Sequence, residues 1–140
     1  MTTSAPEARF NKMIKENLPN SHITRLESRV GLGIPDMLVA LDPPGRFVMI
    51  EAKYVPEGSK KIKISAHQAS FHLKHASMKC PTFFAVMQKK KGIKYSRIML
   101  YRGDQVADLL EFGVETKPVF EFYSNFPQWF QFREKLLERP

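Results

Sequence analysis

Gly33-Ile34-Pro35-Asp36-Met37-Leu38-Val39-Ala40-Leu41, then Asp42-Pro43-Pro44-Gly45, then Arg46-Phe47-Val48-Met49-Ile50-Glu51-Ala52-Lys53-Tyr54-Val55: this stretch decides the fold. Two strand-sized apolar runs flank a turn rich in proline and glycine. Pro35 to Leu41 is predicted as one strand, Phe47 to Val55 as the next, and the two as a hairpin. Three ionisable residues stand within this apolar setting. Strand side chains alternate, so Glu51 and Lys53 point the same way. In a hairpin, Asp36 lies near the Glu51 end of its partner strand. Charges in such surroundings are costly unless they are paired or bind a metal. Two close carboxylates raise each other's pKa, and a divalent cation removes that penalty. Hard oxygen donors favour Mg²⁺ or Mn²⁺ over zinc. A plain Glu51–Lys53 or Asp36–Lys53 salt bridge at a strand end is the competing reading.

Upstream, Phe10, Met13, Ile14 and Leu18 recur at helical spacing and predict a helix over Pro6–Leu18. His22 to Val30 alternates as a strand, with Ile23, Arg25, Glu27 and Arg29 on one face, and Gly31-Leu32-Gly33 is a connector leading to Asp36. Downstream, Pro56 to Ile64 reads as a basic loop. Ser65 to Met78 reads as a helix opened by a Ser65/Gln68 capping box. Strands are predicted over Pro81–Gln88 and Lys94–Tyr101, joined by the turn Lys89-Lys90-Lys91-Gly92. A short helix from Gly103 to Leu110, a short strand over Pro118–Phe122 and a closing helix over Asn125–Glu138 follow. A hairpin, then a helix crossing to a further strand, implies a mixed α/β sheet. The 140 residues suit a single domain, 1–140.

The net charge of +8 is unevenly spread. Residues 53–102 hold twelve basic side chains and one acid, Glu57. Such an excess attracts a polyanion by counterion release. Lys60, Lys61 and Lys63 lie just beyond Lys53, where they suit phosphate contacts. Lys89, Lys90 and Lys91 form a hairpin tip suited to gripping duplex arms. Each cluster also reads as a solubilising loop. No apolar run is long enough to span a bilayer, and residues 1–7 lack a signal-peptide pattern. A lone Cys80 excludes an internal disulfide and fits a reducing, cytoplasmic setting. His67, His72 and His75 on one predicted helix read as surface or DNA-facing groups rather than zinc ligands. The C-terminal aromatics Phe120, Phe122, Tyr123, Phe126, Trp129, Phe130 and Phe132 read as core, with a dimer interface as the second reading.

Gly33-Ile34-Pro35-Asp36, Ile50-Glu51-Ala52-Lys53 and Ser65-Ala66-His67-Gln68 together resemble the PD-(D/E)XK nuclease superfamily. More narrowly they are similar to its VRR-Nuc and phage-type Holliday-junction-resolvase-like branch; Thr24-Arg25-Leu26-Glu27 adds to the likeness. The resemblance covers roughly residues 7–88, and nothing from Tyr101 onward shares in it. It implies a restriction-endonuclease-like mixed sheet flanked by helices, with a nuclease core over about 7–101 and an extension over about 102–140. It implies that Asp36, Glu51 and the Ala52 carbonyl bind Mg²⁺ or Mn²⁺. Lys53 would orient the attacking water, and Gln68 would position water or Lys53. The further acid would be Glu7 or Glu27, with Glu16 a weaker candidate. Arg25 and Arg29 join the lysines as DNA contacts. The implied activity is hydrolysis of DNA phosphodiesters by a homodimer, on four-way or other branched junctions. A sequence-specific or repair-type nickase on the same fold, and a binding module without catalysis, are the alternatives.

Overall fold

The computed structural model describes residues 4–26 and 33–138. A helix, α1 (Ala5–Asn17), starts where Ser4 Oγ accepts the Glu7 N–H at 3.3 Å and Pro6 occupies the first turn. Three strands follow, β1 (Ser21–Arg25), β2 (Met37–Leu41) and β3 (Arg46–Val55). Next come α2 (Ala66–Ser77), β4 (Thr82–Lys89) and β5 (Ser96–Arg102). A 3₁₀ turn (Gly103–Gln105), α3 (Val106–Phe112), a second 3₁₀ turn (Gly113–Glu115), β6 (Phe120–Tyr123) and α4 (Trp129–Leu137) complete the chain.

The six strands form one sheet in chain order. All neighbours pair antiparallel except β3 with β4, which are parallel because α2 crosses between them. The result is a mixed α/β sheet flanked by helices, with the expected β2–β3 hairpin. One face carries Val39, Val48, Ile50, Ala52 and Ala85, covered by Phe10 and Ile14 of α1 and by Phe132 and Leu136 of α4. The other carries Val55, Phe84, Val86, Met99 and Tyr101, covered by Ala69 of α2 and by Val106 and Leu109 of α3. The central strand β4 is buried from Thr82 to Gln88, so its sequence reads as a near-continuous apolar run rather than an alternation.

Several boundaries differ from the sequence reading, for physical reasons. The closing helix starts at Trp129 rather than Asn125. Pro127 disfavours helical geometry at Phe126, whose N–H instead closes a turn on Tyr123 O at 2.9 Å. The turn after β4 runs on to Tyr95, and Lys89 belongs to the strand. Asp36 precedes β2 rather than opening it. The first strand is formed to Arg25, and Glu27 and Arg29 lie outside the described residues. The aromatic tail divides: Phe122 and Phe132 are core, while Tyr123, Phe126 and Phe130 are exposed. Among the described residues, no helix is long and apolar enough to cross a membrane.

The parallel β3–β4 pairing has one consequence for position. Val55 stands opposite Gln88, so both strands end at the same end of the sheet. The loop 56–64, the turn after Lys89 and the start of α2 all gather there. Gln88 Nε2 ties the loop down by donating to Pro56 O at 3.2 Å and Ser59 O at 2.6 Å.

Candidate active site

The last registered pair of the hairpin is Met37 opposite Ile50. One step further, Asp36 falls opposite Glu51, and one more puts Pro35 opposite Ala52. Proline has no N–H, so it gives Ala52 no ladder donor. β3 runs on to Val55, beyond the level where β2 begins, and the N–H groups of Ala52 and Tyr54 face the abandoned edge. Asp36 Oδ2 accepts the Ala52 N–H at 3.2 Å, and the Tyr54 N–H lies near enough to the Glu7 carboxyl to favour its charged form. Asp36 is itself anchored from behind, its carbonyl accepting the Leu26 N–H at 2.8 Å. Because the N–H and C=O of a strand residue share one edge, the Ala52 carbonyl lies on the Asp36 side.

Glu51 and Lys53 share the face covered by α2. Both are nearly buried, at 2% and 7% exposure. Lys53 Nζ lies 4.0 Å from Glu51 Oε2 and donates to Gln68 Oε1 at 2.9 Å. The same Gln68 oxygen accepts the Ser65 N–H at 3.0 Å, while Ser65 Oγ accepts the Gln68 N–H at 3.1 Å. Gln68 therefore completes the capping box and holds the lysine with one atom.

Gly33 sets the distance between the Asp36 segment and this helix start. Its φ is +76°, and a Cβ there would overlap the His67 carbonyl oxygen and lie 2.6 Å from Gln68 N. The glycine lets backbone lie on backbone. The sequence reading treats Gly33 as a turn leading to Asp36; the structure adds this contact.

The electrostatics follow from burial. The Glu51 carboxyl is pushed well above the usual carboxylate range, first by burial and next by Asp36, with Lys53 opposing. Its Oε1 is buried without a hydrogen-bond partner. The Glu7 carboxyl is also raised, chiefly by burial, while Lys53 pulls it down and Asp36 pushes it up. Glu7 thus shares the field of Asp36, Lys53 and Glu51. Lys63 also acts on Glu7. Glu16 is in an exposed pair with Lys12 at 3.8 Å, away from this cluster.

No protein-family model, curated protein or solved structure matches this chain. The chemistry of the site is read from its own atoms. Among the described residues, no three His, Cys, Asp or Glu side chains form a ready metal group. Two close carboxylates with an orphaned buried oxygen still fit a hard divalent cation. Mg²⁺ needs only one or two carboxylates and keeps several waters. Asp36, Glu51 and the Ala52 carbonyl are the donors such a cation would take.

The structure overturns one expectation. His72 is not a surface or DNA-facing group: it is fully buried, stacked on Phe84 with ring centroids 3.9 Å apart. Burial lowers its pKa to about 4, which keeps it neutral. His72 lies three residues from Ala69, and both face the sheet; that spacing is the signal the sequence offered. His67 is exposed, and His75 Nδ1 lies 2.8 Å from Phe71 O. Of the basic residues, Lys61, Lys63 and Lys89 are exposed, whereas Lys60 pairs with Glu115 at 2.8 Å. Arg25, at the end of β1, is exposed and engaged in an interaction of its own.

Two predictions follow from this geometry. The folded chain binds the Glu51 proton more tightly than the unfolded chain does, whose carboxyl stays near 4.5. The protonated form therefore favours the fold, and stability falls as pH rises above that value. His72, lowered to about 4, acts in the opposite sense up to the free histidine value of 6.5. In chelator, the thermal midpoint of the wild type should therefore fall between about pH 7 and pH 9, and Glu51→Gln should flatten that limb; a wild-type profile flat over that range contradicts the burial argument. Gly33→Ala should cost about 2 kcal/mol or more, combining left-handed strain with overlap on His67. Gly45→Ala, with a similar φ of +82° and nothing within 4 Å, should cost less than Gly33→Ala in the same melts.

Proposed function

We propose that this chain is a PD-(D/E)XK-type endonuclease on a restriction-endonuclease-like fold, hydrolysing DNA phosphodiester bonds with Mg²⁺ or Mn²⁺. The observation that carries the reading is the meeting of Asp36, Glu51 and Lys53 at the open end of β3, with the Lys53 ammonium held by Gln68. A salt bridge alone does not account for it. Lys53 stands 4.0 Å from Glu51 but within hydrogen-bonding distance of a neutral amide, and Glu51 keeps an unpartnered oxygen.

Each group has a task. Asp36 and Glu51, with the Ala52 carbonyl, hold the cation, and Glu7 adds negative charge on the Tyr54 side. When bound, the cation polarises a phosphoryl oxygen and lowers the pKa of a coordinated water. Lys53 is fixed by Gln68 so that its remaining protons face the carboxylates. There it orients the attacking water and offsets charge developing on the phosphate. Buried surroundings strengthen each of these interactions. Lys61 and Lys63 on the loop, and Lys89, Lys90 and Lys91 at the hairpin, stand at the same end of the sheet and meet the backbone of the nucleic acid. A branched, four-way junction cut by a homodimer is the substrate we favour, because two symmetric nicks need two sites and the described residues hold one.

Cleavage of a synthetic four-way junction beside its linear arms tests this, with Mg²⁺, Mn²⁺ or chelator. Asp36→Asn keeps an oxygen to accept the Ala52 N–H, so the fold should survive while cutting is lost. Lys53→Ala should lower turnover by about 10²–10³ and leave metal binding in place. Retained cutting by Asp36→Asn would sink the assignment. Equal cutting of both substrates would remove junction selectivity alone. Tight binding without cutting would make the chain a binding module.

A further inference from the structure

We propose that Gly113–Thr116, in the extension that follows the sheet's central strands, is a positioning brace for the basic loop 56–64. It holds Lys61 and Lys63 in fixed register for a nucleic-acid backbone. The inference rests on the nucleic-acid reading and assigns a role to a segment that reading leaves unused.

Four contacts build the brace. The Val114 N–H donates to the Lys60 carbonyl at 2.8 Å. Gly113, at φ +56°, lies directly on that loop: a Cβ there would overlap the Lys60 carbonyl oxygen and come within 3.4 Å of Lys61 Cα. Glu115 holds the Lys60 ammonium at 2.8 Å. Ile62 is buried in the same cluster as Val114. Behind the brace, the fully buried Tyr101 donates its hydroxyl to Thr116 O at 3.0 Å, and Thr116 Oγ1 donates to Asp108 O at 3.0 Å.

The chain of support runs from the sheet through Tyr101 and Thr116 to Gly113 and Val114, and so to Lys60. Lys61 and Lys63 remain exposed on the held loop, and Lys63 acts on Glu7 at the site. Lys60 pairs with Glu115 at the exposed surface, so it joins the brace chiefly through its backbone carbonyl. A loop fixed beforehand loses less freedom on binding than a loose one. The brace therefore acts on substrate affinity and leaves the chemistry at Lys53 alone.

The test uses the full chain and two substitutions. Gly113→Ala forces the loop away, and Val114→Pro removes the one N–H that bonds Lys60 O. Gly45→Ala is the control for left-handed strain. Anisotropy of a labelled four-way junction in chelator is read across a salt series, beside amide exchange at Val114 in the wild type and Gly113→Ala, and turnover at saturating substrate. Both variants should bind about tenfold more weakly, with the salt slope reduced by about two contacts' worth. Gly113→Ala should lose exchange protection at the Val114 amide, and kcat should stay at the wild-type value in both variants. Gly45→Ala should change none of these. Wild-type affinity and slope in the folded variants would overturn the brace. A drop in kcat with unchanged affinity would also overturn it, since that places the segment in the chemistry. A wild type that binds no nucleic acid would retire the nuclease reading and this inference together, an outcome distinct from variants that match a binding wild type.

Discussion

The site depends on a mismatch of strand lengths. β3 continues to Val55, beyond the level of Met37 where its partner β2 begins. A strand edge left open inside a protein must find acceptors for its N–H groups, because an unmet one costs about 1–3 kcal/mol. Here Asp36 answers Ala52, and Glu7, reaching from a different element, comes near the Tyr54 N–H. Pro35, offering no N–H, leaves the Ala52 carbonyl on the same edge without a ladder donor. The same contacts that close the edge bring two carboxylates to where Glu51 already points inward, so fold and charge cluster share one cause.

The surroundings show how much stability is committed there. Glu51 is nearly buried and raised by burial, and Lys53 rests against an amide oxygen rather than a tight ion pair. Next to them His72 sits neutral on Phe84 with both ring nitrogens unpartnered. A protein that needed only a stable sheet would place hydrocarbon at these positions, since replacing buried ion pairs by packed apolar groups is often stabilising. Around the cluster the packing is conventional, with Phe10 and Ile14 on one face of the sheet and Val106 and Leu109 on the other.

Much of this was legible in the order of residues. The Pro43-Pro44-Gly45 turn between two apolar runs announced the hairpin. Ser65 with Gln68 announced the start of α2, and two-residue spacing put Glu51 and Lys53 on one face. These signals are local, and local patterns survive into the structure. What stayed hidden depends on partners far along the chain. Glu7 is favoured for sharing a helix face with Phe10 and Ile14, but its place in the field of Asp36 and Lys53 shows only once α1 packs on the sheet. His72 looked like its neighbours His67 and His75 until the helix turned Ala69 toward the sheet. Gly33 looked like an ordinary connector residue and Gly113 gave no signal at all; only the apposed backbones of His67 and Lys60 give them a purpose.

Gln68 Oε1 carries two bonds at once, one to the first turn of α2 and one to the Lys53 ammonium. Helix ends open more readily than helix middles, and local opening requires far less free energy than global unfolding. Fraying of this turn would release the lysine while the rest of the sheet stays intact. The site's thermal limit is therefore that of a helix end, lower than that of the domain, so on heating the arrangement at Lys53 would come apart while the strands are still paired.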